Sequence, residues 1–243
     1  MRAKGFPTII IIHVRQTLAE YARARGCPGR DQALPASCPQ PDCQVGGRMV
    51  YWGRYTRTAL TGVMIYVLLI QRVRCQACGH TQALLPDFLH PHRRYVLSVM
   101  QQVVTLYLWG GLGFGQLLKR LPGDGPAGET VREWLTAFGY GAGYLLWGRL
   151  QRFVAGLAPL TTTAPTERPP ALGRSRQADL LARGAQLWQW GEQLYAHSKA
   201  VRVQLAYQAG LFFPFVLHWL QQQGLPPRLF WSPRLKGTPR VPY

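Results

Sequence analysis

Acidic residues are scarce in this sequence. Ten Asp and Glu stand against 28 Lys and Arg in 243 residues, a formal charge of +18. A chain so charged favours a polyanionic partner, because binding releases condensed counterions. Lysine is nearly missing too: the lysines are Lys4, Lys119, Lys199 and Lys236, and arginine supplies the rest of the positive charge. Arginine is the residue suited to bidentate contacts with phosphate and guanine. A GC-rich coding bias explains arginine in place of lysine, but not the shortage of Asp and Glu. No apolar run reaches 18 residues, which argues against a spanning helix and a membrane partner. The opening "MRAKGFPTIIIIHVRQ" has an apolar core too short for a secretory signal. A cytoplasmic, nucleoid-associated protein is therefore expected. P-loop, G-x-S-x-G and H-E-x-x-H motifs are absent.

What is present begins with a short strand, "TIIIIHV", and a helix through "TLAEYARAR". The segment "GCPGRDQALPASCPQPDC" is rich in Pro and Gly and reads as loop. Two β-rich runs follow, Met49 to Leu60 and Val63 to Arg74, with Thr61-Gly62 as a hairpin turn. In the second run period two places Arg72 and Arg74 on one face, and Val73 and Cys75 on the other. Beyond it, "CQACGHT" leads into a Pro-containing loop. From Arg93 the periodicity is helical. Helices are expected at Tyr95–Trp109, Phe114–Leu121, Glu129–Phe138 and Tyr144–Leu157. Residues 158–177 read as a linker, two further helices fall between Ala178 and Gln223 with Pro214 near a break, and the end is a basic Pro-rich tail. The expected class is α+β, divided as 1–92, 93–157, 158–177 and 178–243.

Five cysteines in a basic protein without a secretory signal point to metal or free thiols rather than a disulfide frame. Cys38 and Cys43 are spaced C-x4-C, Cys75 and Cys78 are spaced C-x2-C, and 31 residues separate the pairs. A redox pair or unrelated buried thiols are the rival readings. A redox C-x2-C should open a helix in a βαβ setting, and unrelated thiols need no paired spacing. Two pairs joined by a hairpin match a zinc ribbon, in which four thiolates close a tetrahedral Zn2+ site and leave no position for water. Such an ion is structural. Cys27 reads as a loop thiol. His80 reads as a surface or strand-pairing residue, His90 and His92 as solvated or phosphate-facing, and His13, His197 and His218 as core or edge histidines.

In "ETVREWLTAF" the apolar residues Val131, Trp134, Leu135 and Phe138 fall at i, i+3, i+4 and i+7. Thr130, Arg132, Glu133 and Thr136 then face outward. The preceding "FGQLLKRL" offers Phe114, Leu117, Leu118 and Leu121 to pack on that stripe. Two short helices of this kind fit a helix-turn-helix, with the second helix in the major groove. An ordinary helical bundle is the alternative. The connection "PGDGPAG" is longer than the usual tight turn, and Glu133 is a negative charge at the expected interface.

The segments "CPQPDC", "YWGRYTR", "RVRCQACGHTQALLPDFLHPHRRY" and "ETVREWL" together resemble the zinc-ribbon plus helix-turn-helix module of bacterial insertion-sequence transposases and the mobile-element proteins related to them. The resemblance covers roughly residues 35–138. It departs in the Pro/Gly-rich turn and at Glu133, where the group has a basic residue. It implies structural Zn2+ on Cys38, Cys43, Cys75 and Cys78, and double-stranded DNA as partner. Arg54, Arg57, Arg72, Arg74, Arg93, Arg94, Lys119 and Arg120 would contact DNA, and Thr130, Arg132, Glu133 and Thr136 would meet base edges. A full transposase of that group also needs three carboxylates on a sheet to hold two metals. After Phe138 only Glu167, Asp179 and Glu192 are acidic, and none falls on an expected strand. The expectation is thus a non-catalytic accessory factor or regulator of a mobile element, working beside a transposase or another element protein. A divergent or truncated transposase or nuclease, and a zinc-ribbon protein that binds RNA or assembles a complex, are the alternatives.

Overall fold

The computed structural model of the protein describes residues 9–25, 34–40, 43, 47–140, 173, 175–197 and 212–222. Among them lie four strands and six helices, so the chain is mixed α+β. It divides into two compact units, Met1–Val96 and Leu97–Tyr243.

The first unit is built on one sheet with the strand order β1-β4-β3-β2. The strands are β1 (Ile9–Ile12), β2 (Met49–Leu60), β3 (Ile65–Cys75) and β4 (Thr81–Pro86). β2 and β3 form the antiparallel hairpin, paired from Met49↔Cys75 to Leu60↔Ile65. The turn is longer than Thr61-Gly62 alone. It runs from Thr61 to Met64, closed by Thr61 N–H donating to the Met64 carbonyl at 3.1 Å and Met64 N–H donating to Thr61 Oγ1 at 3.0 Å. Gly62, at φ 86°, takes the left-handed position that a side chain would strain. β3 therefore begins at Ile65, two residues later than expected.

The Pro-containing loop expected after Cys78 is a strand instead. β4 lies inside the sheet, antiparallel to β3 through Arg72↔Ala83 and Arg74↔Thr81, and parallel to β1 through Ile9↔Ala83 and Ile12↔Pro86. Leu84 and Leu85 point to opposite faces and both are buried. A strand buried on both faces reads as a short apolar run without alternation. Pro86 is tolerated because it is the last residue of the strand.

α1 (Leu18–Arg23) packs on β3. Thr17 and Glu20 form a capping box, with Thr17 N–H on the Glu20 carboxylate at 2.8 Å and Glu20 N–H on Thr17 Oγ1 at 3.3 Å. Tyr21 is fully buried, meets Phe88 edge to face, and donates its hydroxyl to the Leu69 carbonyl at 3.4 Å. His13 and Asp87 join the ends of β1 and β4, Nδ1 to Oδ2 at 2.7 Å.

The second unit is helical among the described residues: α2 (Leu97–Trp109), α3 (Phe114–Arg120), α4 (Gly128–Tyr140), α5 (Arg176–His197) and α6 (Phe212–Gln222). α2 packs on α3, α4 and α6, and α5 packs on α4 and α6. The core is aromatic. Trp134, Trp190, Phe138, Phe212, Phe213 and Trp219 are fully buried, and Trp188 stacks on Phe212 with ring centroids 5.5 Å apart. Ser175 caps α5 through Oγ, which accepts from Ala178 N–H at 3.2 Å. The end of the expected linker is therefore the start of a helix. Pro214 sits in the first turn of α6, where a missing N–H costs nothing. The helix expected at Tyr144–Leu157, the rest of the linker, Cys27 and the C-terminal tail lie outside the described residues.

Candidate metal centre and basic face

The register of the hairpin dictates where the cysteines meet. Cys75 ends β3 opposite Met49, the first residue of β2, so the chain before β2 returns beside the Cys75–Cys78 turn. There the sulfurs of Cys38, Cys43, Cys75 and Cys78 all lie within 4.8 Å of one another. Cys38 and Cys78 are 3.7 Å apart, as are Cys43 and Cys75. A tetrahedron with metal–sulfur bonds of about 2.3 Å has edges of about 3.8 Å. Four free thiols at that spacing fit one soft divalent ion. His80 is not among the converging ligand atoms. Its carbonyl accepts from Cys75 N–H at 2.9 Å.

The surrounding backbone is shaped for this cluster. Gly79 adopts φ 71° and donates its N–H to the Cys75 carbonyl at 3.0 Å, closing the second turn. Cys43 N–H donates to the Gln40 carbonyl at 3.0 Å, closing the first. Gly47 leaves no room for a side chain, since a Cβ there would lie 2.5 Å from Ala77 Cβ and 2.7 Å from Cys75 Sγ. Cys38 and Cys75 also belong to a small core with Met49, Val73 and Leu84. The thiols differ in acidity. N–H donation from Cys78 to the Cys75 sulfur lowers Cys75 to about 7, whereas burial pushes Cys38 up to about 12. A cation among these sulfurs would favour the thiolate at every position.

The arginines expected to face DNA divide into structural and exposed groups. Arg57 is committed to the fold. Its guanidinium donates to the carbonyls of Pro91 at 3.2 Å, Arg93 at 2.7 Å and His90. Desolvation pulls its pKa below the usual guanidinium value. It fastens the 90–93 segment to β2 and is not presented to a phosphate. Arg74 is half committed, with Nε on the Gly79 carbonyl at 3.2 Å and its guanidinium 4.4 Å from the centre of the Trp52 ring. Arg54 Nε donates to Gln71 Oε1 at 3.2 Å, and the residue remains exposed. Arg72 and Arg94 are exposed, and Arg93 is half-buried. His92 is exposed as expected, whereas His90 is not. His90 is fully buried, and its Nδ1 accepts from His92 N–H at 3.2 Å.

On the helices, Val131, Trp134, Leu135 and Phe138 are buried, while Arg132, Glu133 and Thr136 are exposed and Thr130 is half-buried. Lys119 and Arg120 are exposed at the end of α3. Two contacts narrow the outward face of α4. Arg132 lies over the Phe114 ring at 5.0 Å, and Thr136 Oγ1 accepts from Gln177 on α5 at 3.0 Å. Asp179 is in the first turn of α5, and Glu192 accepts from Trp188 Nε1 at 3.3 Å, its pKa raised by burial.

Sequence reasoning passed over Trp52 and Arg48. Trp52 is the extra residue of a β-bulge between the Tyr51 and Gly53 pairings, and is 54 % exposed. Arg48 is exposed immediately before β2. The exposed aromatic in "YWGRYTR" was the available signal.

A family model described as Domain of unknown function (DUF6431) matches residues 38–107, from the first clustered cysteine into α2 and less than a third of the chain. No curated protein and no solved structure matches the chain. No described helix is long and apolar enough to cross a membrane.

Proposed function

We propose that the protein is a non-catalytic DNA-binding protein of a mobile genetic element, a factor that binds element ends or a regulator, acting beside a transposase or another element protein. The observation that carries this reading is the convergence of four cysteine sulfurs at the end of a hairpin that displays exposed arginines, in a chain of net charge +18. Cys38, Cys43, Cys75 and Cys78 would hold Zn2+. A four-thiolate ion is closed to substrate and contributes folding energy, stabilising a unit whose local core is small.

On this reading β2 and β3 with their two cysteine turns are a zinc ribbon. α3 and α4 are a helix-turn-helix with an extended turn. Arg54, Arg72, Arg94, Lys119 and Arg120 supply phosphate contacts, and Thr130, Arg132 and Glu133 meet base edges. Thr136 is a weaker candidate, because Gln177 already occupies its hydroxyl. Glu133 fits a cytosine amino group.

Fluorescence anisotropy with a labelled DNA duplex and an RNA hairpin of equal length tests the reading. Tighter binding of the DNA duplex is expected. Equal or tighter binding of the RNA contradicts it and favours a zinc-ribbon RNA-binding role.

A further inference from the structure

We infer that Trp52 is a stacking platform for an unpaired nucleobase, with Arg72 placed for the adjoining phosphate. The inference rests on the nucleic-acid reading of the basic face and adds a ligand that the duplex reading does not require: a single-stranded segment of DNA.

Three observations lead to it. A large aromatic side chain more than half exposed invites a partner, and Trp52 stands at the bulge that breaks the β2–β3 register. Gly53, at φ 154°, supplies a conformation that a side chain would strain. The indole is also braced. Arg74 covers one side of the ring at 4.4 Å, and its Nε is tied to the Gly79 carbonyl at 3.2 Å, next to Cys78. The cysteine cluster thus fixes Gly79, Gly79 fixes Arg74, and Arg74 holds the ring. An aromatic held flat in this way loses little freedom on binding, which favours affinity.

Charge completes the site. Arg72 and Arg74 are two residues apart on β3 and share a face, so Trp52 lies on the face that carries both arginines. Arg72 is exposed, directly opposite Gly53, and makes no side-chain hydrogen bond or ion pair among the described residues. An aromatic ring beside cations matches how proteins hold single strands, by base stacking with backbone charge contacts and little sequence preference. A base paired inside a duplex cannot offer its face to the ring.

The test uses the full chain loaded with zinc. Anisotropy is measured with oligothymidine of about twelve nucleotides, with an abasic strand of equal length and charge, and with a duplex. Oligothymidine should bind about 5- to 150-fold tighter than the abasic strand. Trp52→Ala and Trp52→Leu should each remove that advantage, Trp52→Phe should keep most of it, and none should change duplex affinity more than about twofold. Zinc stoichiometry checks that each variant is folded. If the abasic strand binds as tightly as oligothymidine, or both Trp52→Ala and Trp52→Leu keep the preference, the inference is overturned while the duplex reading stands. If neither single strand nor duplex binds, both are overturned.

Discussion

Arg57 is a basic residue on a basic hairpin, and replacing it should harm the fold rather than DNA binding. Its guanidinium donates to the carbonyls of His90, Pro91 and Arg93. Hydrogen bonds from a charged group contribute about 1.5–3 kcal/mol each, and three on one group are less than additive. Arg57→Ala should therefore cost about 3–5 kcal/mol, lowering the Tm of the first unit by roughly 12–40 °C. Arg57→Lys keeps the charge but has no planar fork, and should lose about half as much. Thermal denaturation followed by circular dichroism measures both. At a temperature where the variants remain folded, the salt dependence of duplex affinity should match the parent protein. Unchanged thermal stability, with a log–log salt slope shallower by about 0.9, would refute the reasoning, since that is the signature of one lost phosphate contact.

Gly47→Ala places a methyl group against Cys75 Sγ and Ala77, so the sulfur must move. Zinc affinity by chelator competition should fall about 10- to 100-fold, as for other supporting positions around a metal, and an unchanged affinity would show that the cluster does not need this close approach. His90 is fully buried and its pKa lies well below the ordinary value, chiefly from desolvation and then from the charges of His92, Arg93 and Arg57. A base with a depressed folded pKa stabilises fully above its unfolded value of about 6.5, and this contribution is lost as pH falls towards the folded value. Acidification from about pH 7.5 to about pH 5 should therefore cost stability through His90. His90→Asn, which keeps an acceptor for His92 N–H, should lack that component when urea midpoints are compared at the two pH values; acid sensitivity equal to the parent's would contradict it.

The hairpin and the helices from Leu97 to Tyr140 were legible because their patterns are long and regular. Long runs rich in β-branched and aromatic residues mark β2 and β3, and the spacing of Val131, Trp134, Leu135 and Phe138 marks α4. The paired cysteines were legible as one cluster because a hairpin must return its ends to the same place. β4 was hidden because it is short, buried on both faces and ends in Pro86, and its partner β1 lies some seventy residues earlier. Nothing in local sequence announces a parallel pairing at that distance. The roles of the arginines were hidden for a different reason. Arg57 on β2 and Arg72 on β3 look alike in the sequence, and only the 90–93 carbonyls separate them. Thr136 likewise reads as outward until α5 brings Gln177 to its hydroxyl. Trp52 gained its meaning from a bulge that shifts register by one residue, which pattern reading along either strand does not detect.

The salt dependence of duplex affinity tests the central claim most directly. On the proposed reading the exposed cations Arg54, Arg72, Arg94, Lys119 and Arg120 each meet a phosphate, so four or five such contacts are expected. Each contributes about −0.9 to the slope of log affinity against log salt. The account predicts a slope of about −3.5 to −4.5 for the zinc-loaded chain. A slope near zero, or no duplex binding at low salt, would contradict it.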